Sequence, residues 1–132
     1  MSGIGPVLTD GAEELLRQVH PTFVQGDRLT SQVFEATAKD EGLLSVHRGS
    51  KTTAHEAFER FLARQFKTCG VVAVTVAEVI GVHLAAHDDP QGDDPAHAVI
   101  NFIVKEEGEA RRARKKLALA AQARGWRHRP AA

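Results

Sequence analysis

A chain of 132 residues, 42% of them apolar and 26% charged, can hide roughly two-thirds of its unfolded surface, so one domain can build a core without staples. No apolar run approaches the ~18 residues of a membrane helix, residues 1–9 lack the basic and apolar blocks of a secretory signal, and the single cysteine, Cys69, excludes an internal disulfide or a cysteine-based zinc site and fits a reducing, cytoplasmic setting. The 17 basic and 17 acidic residues cancel, yet every acidic residue lies at or before Glu109, which leaves residues 1–109 at −8 and residues 110–132 at +8.

Asp10-Gly11-Ala12-Glu13 has the spacing of a capping box and predicts a short helix through Leu15 and Leu16, ended before Pro21. A strand over residues 15–20 fits the same few residues. Residues 28–34 and 43–47 read as strands, the second with Leu44 and Val46 on one face and Leu43, Ser45 and His47 on the other. Thr53-Ala54-His55-Glu56 is a second capping box. It opens a helix whose apolar face is Ala54, Phe58, Phe61, Leu62 and Phe66, with Phe58, Phe61 and Leu62 expected in the core.

The β-branched run at residues 71–74 predicts a buried strand, and Thr75-Val76-Ala77-Glu78 caps one further helical turn, with Gly81 at a left-handed stop. Residues 82–86 predict a short strand, 87–95 a polar loop, and 98–104 a last strand with Ala98, Ile100, Phe102 and Val104 on one face. Residues 109–124 predict a helix with an Ala/Leu face, stopped by Gly125. No repeat is present, and all five prolines lie outside these segments. The expected fold is one α+β domain, a small, mostly antiparallel sheet packed by two to three helices. An acidic body (residues 1–109) and a basic C-terminal helix and tail (residues 110–132) belong to that same domain.

Chemistry-bearing motifs are sparse. Residues 87–97 are rich in Asp and His, but their spacing matches no EF-hand, and the seven histidines contain no His-Glu-x-x-His. His83 and His87, on an extended segment, would stand about 13 Å apart. The expectation is a solvated loop and no metal. Cys69 reads as a small buried hydrophobe. Ser31 and Ser45 lie on predicted strands, neither in a Gly-x-Ser-x-Gly elbow, and no Gly-rich phosphate loop occurs.

Arg17 near an early strand, Leu44-Ser45-Val46-His47, Thr53-Ala54-His55-Glu56 opening a helix, and a strand-turn-strand over residues 71–86 together resemble the RES-type bacterial toxins. Those are small NAD-consuming proteins of ADP-ribosyltransferase-like fold. The resemblance spans roughly residues 14–86 and implies catalytic roles for Arg17, Ser45 and Glu56, with NAD as the co-substrate. The family's Gly-Gly-Arg-Trp-Asn segment is Thr30-Ser31-Gln32-Val33-Phe34 here, and its tyrosine position is Leu43. A nicotinamide platform would fall to Phe34 or Phe23.

The basic arm carries the leading functional expectation. Arg111, Arg112, Arg114, Lys115 and Lys116 cluster in under two turns, and Arg124, Trp126, Arg127, His128 and Arg129 follow. The first cluster sits near a helix N-terminus, where the helix dipole disfavours cations. Guanidinium groups grip phosphates and carboxylates, and an indole can stack on a base. The expectation is a non-enzymatic binding or accessory protein of a bacterial system. It would dock a protein or nucleic-acid partner through this arm, without a cofactor and away from membranes. The alternative function is the divergent NAD-consuming enzyme that the RES resemblance implies, and the alternative for the arm itself is a clasp that pairs internally with Asp88, Asp89, Asp93 and Asp94.

Overall fold

A computed structural model describes residues 4–36, 41–103 and 106–130. In chain order the strands are β1 (Glu14–Val19), β2 (Val24–Gln25), β3 (Arg28–Leu29), β4 (Leu43–Arg48), β5 (Gly70–Thr75), β6 (Ala85–Asp88) and β7 (His97–Asn101). The helices are α1 (Ala54–Ala63), α2 (Val76–Gly81) and α3 (Glu107–Arg124). The fold is α+β. Five strands form an antiparallel sheet in the order β5-β1-β4-β7-β6, and β2 and β3 form a separate hairpin.

The sheet buries both faces, unequally. Leu15, Val19, Leu44, Val46, Val72, Val74, Ala98 and Ile100 point to one side. There they meet Ala110, Ala113, Leu117, Ala118 and Ala121 of α3, and Val33 and Phe34 of a 3-10 turn at Ser31–Phe34. On the other side Leu16, Val71 and Ala73 meet Ala57 and Phe58 of α1. The unbroken apolar run of β5 follows from this two-sided burial.

Several sequence expectations need correction. Of the two readings of the segment after Asp10, the strand is the one that forms, and the helix is not. Asp10 Oδ1 accepts from the Ala12 amide and its carbonyl from the Glu13 amide, which closes a single turn. Leu15 and Leu16 are then both buried because β1 is covered on both faces. Residues 28–34 are not one strand, because the chain turns after Leu29 into the 3-10 turn that drives the adjacent Val33 and Phe34 inward together.

On α1, only Ala57 and Phe58 are buried. Phe61 is half-buried, while Leu62 and Phe66 stand 42% and 54% exposed. The small Ala57 lets the first half of the helix approach the sheet, and the second half leaves it. Gly81 ends α2 without a left-handed backbone; His83 takes that conformation instead, at φ 61°. β6 therefore begins three residues later than expected, β7 spans His97–Asn101, and α3 starts at Glu107. Val104, assigned by pattern to the last strand, lies outside the described residues.

Both capping boxes at Thr53/Glu56 and Thr75/Glu78 are formed. Gly125, at φ 89°, stops α3, and the chain then runs back along β5. The Val71 amide donates to the His128 carbonyl at 2.8 Å, and the Arg127 amide to the Val71 carbonyl at 2.8 Å. Gly70 makes this possible, since a Cβ there would lie 2.7 Å from the His128 carbonyl and from the Trp126 ring. At the opposite border of the sheet the N-terminal segment pairs with β6, through Leu8 N to Ala86 O at 2.8 Å and Asp88 N to Pro6 O at 2.9 Å.

Candidate functional site

The cations of the arm separate into two groups. Arg124 donates two hydrogen bonds to Glu78, at 2.8 and 3.0 Å, and one to the Ala73 carbonyl. Burial works to raise the Glu78 pKa, but the bonds from Arg124 and Thr75 outweigh it and hold the carboxyl below its ordinary value. Arg127 pairs with Glu14. Arg129 lies over the Trp126 ring, 4.5 Å from its centroid, so one indole face is already covered. Arg114 is largely buried and reaches Glu107 at 3.1 Å.

Arg111, Arg112, Lys115 and Lys116 are exposed on the solvent side of α3. Arg111 has Glu107 at 3.8 Å, and among the described residues Arg112, Lys115 and Lys116 form no ion pair. A groove of about 200 Å³ runs between His83, Val82, Glu109, Arg112, Ala113 and Lys116.

The expected internal partners of the arm prove to be different residues. Asp88 pairs with Arg48, Asp89 with His97, Asp93 with Arg64, and Asp94 with His47 and Arg60. The arm's acidic counterparts are Glu14 and Glu78, because the helix stop at Gly125 aims the tail at β5 and not at the 87–97 loop.

Of the residues implied by the RES resemblance, Arg17 and Ser45 meet. β1 and β4 diverge past the Leu16–His47 pair, and the Arg17 guanidinium fills the fork, donating to the Val33 carbonyl at 2.7 Å and the Ser45 carbonyl at 3.0 Å. Glu56 is elsewhere, exposed at the start of α1, with Oε1 accepting from the Thr53 amide and hydroxyl. A cavity of about 470 Å³ lies at that helix start between Asp10, Glu13, Glu14, Ser50, Thr53 and Arg127, and none of Arg17, Ser45 and Glu56 lines it. Phe34 is sealed in the main core and presents no ring to a ligand. Phe23 is partly buried against the same core, its ring 5.6 Å from that of His20.

Pattern reading missed a cluster on the α1 side of the sheet. The β4–β7 register sets His47 beside His97 and Ser45 beside Val99. His97 Nε2 is 3.1 Å from Ser45 Oγ, and His97 Nδ1 is 3.0 Å from Asp89 Oδ2 and 3.1 Å from the Asp89 carbonyl. The His47 and His97 rings meet edge to face at 5.7 Å. His47 Nε2 lies 2.6 Å from the buried Asp94 carboxylate. Desolvation pulls the His47 pKa below its ordinary value, against the opposing pull of Asp94. Among the described residues no three His, Cys, Asp or Glu side chains converge as a metal site, and no described helix is long and apolar enough to cross a membrane. The alternation in residues 43–47 and 97–101 carried the signal for this face; their register did not follow from it. Comparison with protein-family models, curated proteins and solved structures gives no match.

Proposed function

We propose that the protein is a docking module that holds an acidic protein surface against the exposed first half of α3. The observation that carries this reading is the contrast within one arm. Arg114, Arg124 and Arg127 are spent on internal carboxylates, while Arg111, Arg112, Lys115 and Lys116 project together into solvent. Four like charges within two turns repel over the ~8 Å screening length of physiological salt, so a ligand that neutralises them gains directly. An acidic protein suits the surface better than a nucleic acid for three reasons. Residues 1–109 carry −8, which repels a long polyanion approaching the rest of the molecule. The groove beside His83, Arg112 and Lys116 has room for a side chain, and the indole that could stack on a base is occupied by Arg129 on one face.

The test uses the full chain with two probes, a polyglutamate peptide and a 20-base-pair DNA duplex, titrated at low and physiological salt. Polyglutamate should bind at low salt, weaken as salt rises, and lose most of its affinity when Arg111, Arg112, Lys115 and Lys116 are all replaced by Ala. The thermal midpoint of that variant should stay near that of the parent, since the single ion pair lost, Arg111–Glu107, is exposed and long at 3.8 Å. Tighter binding of the duplex would replace the acidic-protein reading with a nucleic-acid one. Failure of both probes to bind at low salt would remove the docking reading.

A further inference from the structure

We propose, independently of docking at α3, that Ser45, His97 and Asp89 form a nucleophilic site that cleaves short-chain carboxylic esters on the α1 side of the sheet. Three observations converge on it. Asp89 offers two oxygens, carboxylate and carbonyl, to His97 Nδ1, at 3.0 and 3.1 Å. Two acceptors at one ring nitrogen put the ring proton there, which leaves Nε2 with its lone pair. That lone pair faces Ser45 Oγ at 3.1 Å, so the hydroxyl donates to it. The order is carboxylate, imidazole, hydroxyl, the arrangement in which a serine can be relieved of its proton as it attacks.

The surroundings suit an acyl group. Ser45 is half-buried, His97 keeps about a sixth of its side chain in solvent, and the apolar Val99, paired with Ser45 across the strands, is buried. Asn101 stands two residues along β7 from Val99, diagonal to Ser45 on the same face. Its Oδ1 accepts from the Ile103 amide at 2.9 Å, which turns Nδ2 the other way, toward the face shared with His87.

The chemistry closes on these groups. Ser45 Oγ bonds to the acyl carbon while its proton passes to His97 Nε2. The ester C–O bond breaks, and the departing alkoxide takes that proton and leaves as the alcohol. Water then gives a proton to His97 as its oxygen attacks the acyl carbon. The bond to Ser45 Oγ breaks, the proton returns to Oγ, and the carboxylic acid is released. No oxidant, metal or cofactor enters the balance.

Diisopropyl fluorophosphate is the direct probe. Its phosphorus bonds to an activated serine oxygen as fluoride leaves with the serine proton. The full chain should gain one adduct, mapped by peptide mass spectrometry to Ser45. His97→Gln and Asp89→Asn should slow labelling, His97→Gln by a hundredfold or more, the ordinary reach of a general base. Turnover of 4-nitrophenyl acetate should fall in parallel in His97→Gln and vanish in Ser45→Ala, with melting curves showing that the variants fold. Mapping on the parent chain identifies the nucleophile even if Ser45→Ala does not fold. An unlabelled Ser45 at a probe concentration that saturates a serine protease would overturn the proposal. So would an adduct on another residue, or ester turnover unchanged by His97→Gln.

Discussion

Phe58 shows what a single side chain on α1 contributes. It is 5% exposed and closes the smaller core with Leu16, Val71 and Ala73. Phe58→Ala should cost about 3–5 kcal/mol in chemical denaturation, the usual range for a buried aromatic. Phe61→Ala should cost distinctly less, and Leu62→Ala, at an exposed position, within roughly 0.5 kcal/mol. Equal losses at Phe58 and Leu62 would mean that α1 presents a different face to the sheet. Glu13 makes a second case. It is buried, accepts two bonds from Arg48 at 2.9 Å, and also accepts from the Ser50 hydroxyl. The Arg48 bonds hold its carboxyl below the ordinary 4.5, against desolvation. A carboxylate depressed in the folded state stabilises above its unfolded value, and that stability is lost as pH falls through the folded one. Stability should therefore decline below about pH 4.5, and Glu13→Gln should flatten that acid limb while lowering the plateau at neutral pH. An unchanged slope between pH 5 and 3 would show that the pair carries no proton linkage.

At the scale of elements, what could be read from sequence was local. Thr53/Glu56 and Thr75/Glu78 each need only four adjacent residues to form a capping box, and the Ala/Leu stripe of α3 repeats along one helix. The start of β1 misled for the same reason. Asp10 and Glu13 satisfy a local rule, while strand formation at Leu15 and Leu16 depends on α3 and α1 covering them from opposite sides. The candidate sites divide likewise. Arg111, Arg112, Lys115 and Lys116 form a contiguous cluster and were legible as such. Ser45 and His97 are 52 residues apart and meet only through the β4–β7 register, which alternation alone does not set. The tail after Gly125 adds a test at this scale. Its close approach to β5 leaves no room for a side chain at Gly70, so Gly70→Ala should lift Trp126 and His128 away from the strand. The expected cost is about 1–3 kcal/mol, as for other overpacked contacts, together with faster amide exchange at Val71, whose donor bond to the His128 carbonyl would be broken. Unchanged exchange at Val71 would show that the tail accommodates the methyl group without leaving.

For the molecule as a whole, the two ends of the chain do the same task at opposite borders of the sheet. Residues 6–8 lie along β6, and residues 127 and 128 lie along β5. An open sheet border is a template on which another molecule can add a strand, and β5, Gly-Val-Val-Ala-Val-Thr, has the composition that favours such growth. These segments thus cover both borders of the sheet, and the Glu14–Arg127 pair holds one of them in place. A chain ending at Gly125 keeps α3 and the buried residues of both cores, loses Trp126 from the border of the larger core and the His128 ring from beside Phe58, and exposes the outer hydrogen-bonding row of β5. Such a chain should assemble with time into larger species, visible by size-exclusion chromatography and by thioflavin fluorescence, faster at salt concentrations that screen its remaining charge. The intact protein under the same conditions should stay unassembled. A truncated chain that elutes unchanged for days would show that β5 is protected by its twist and its neighbours alone.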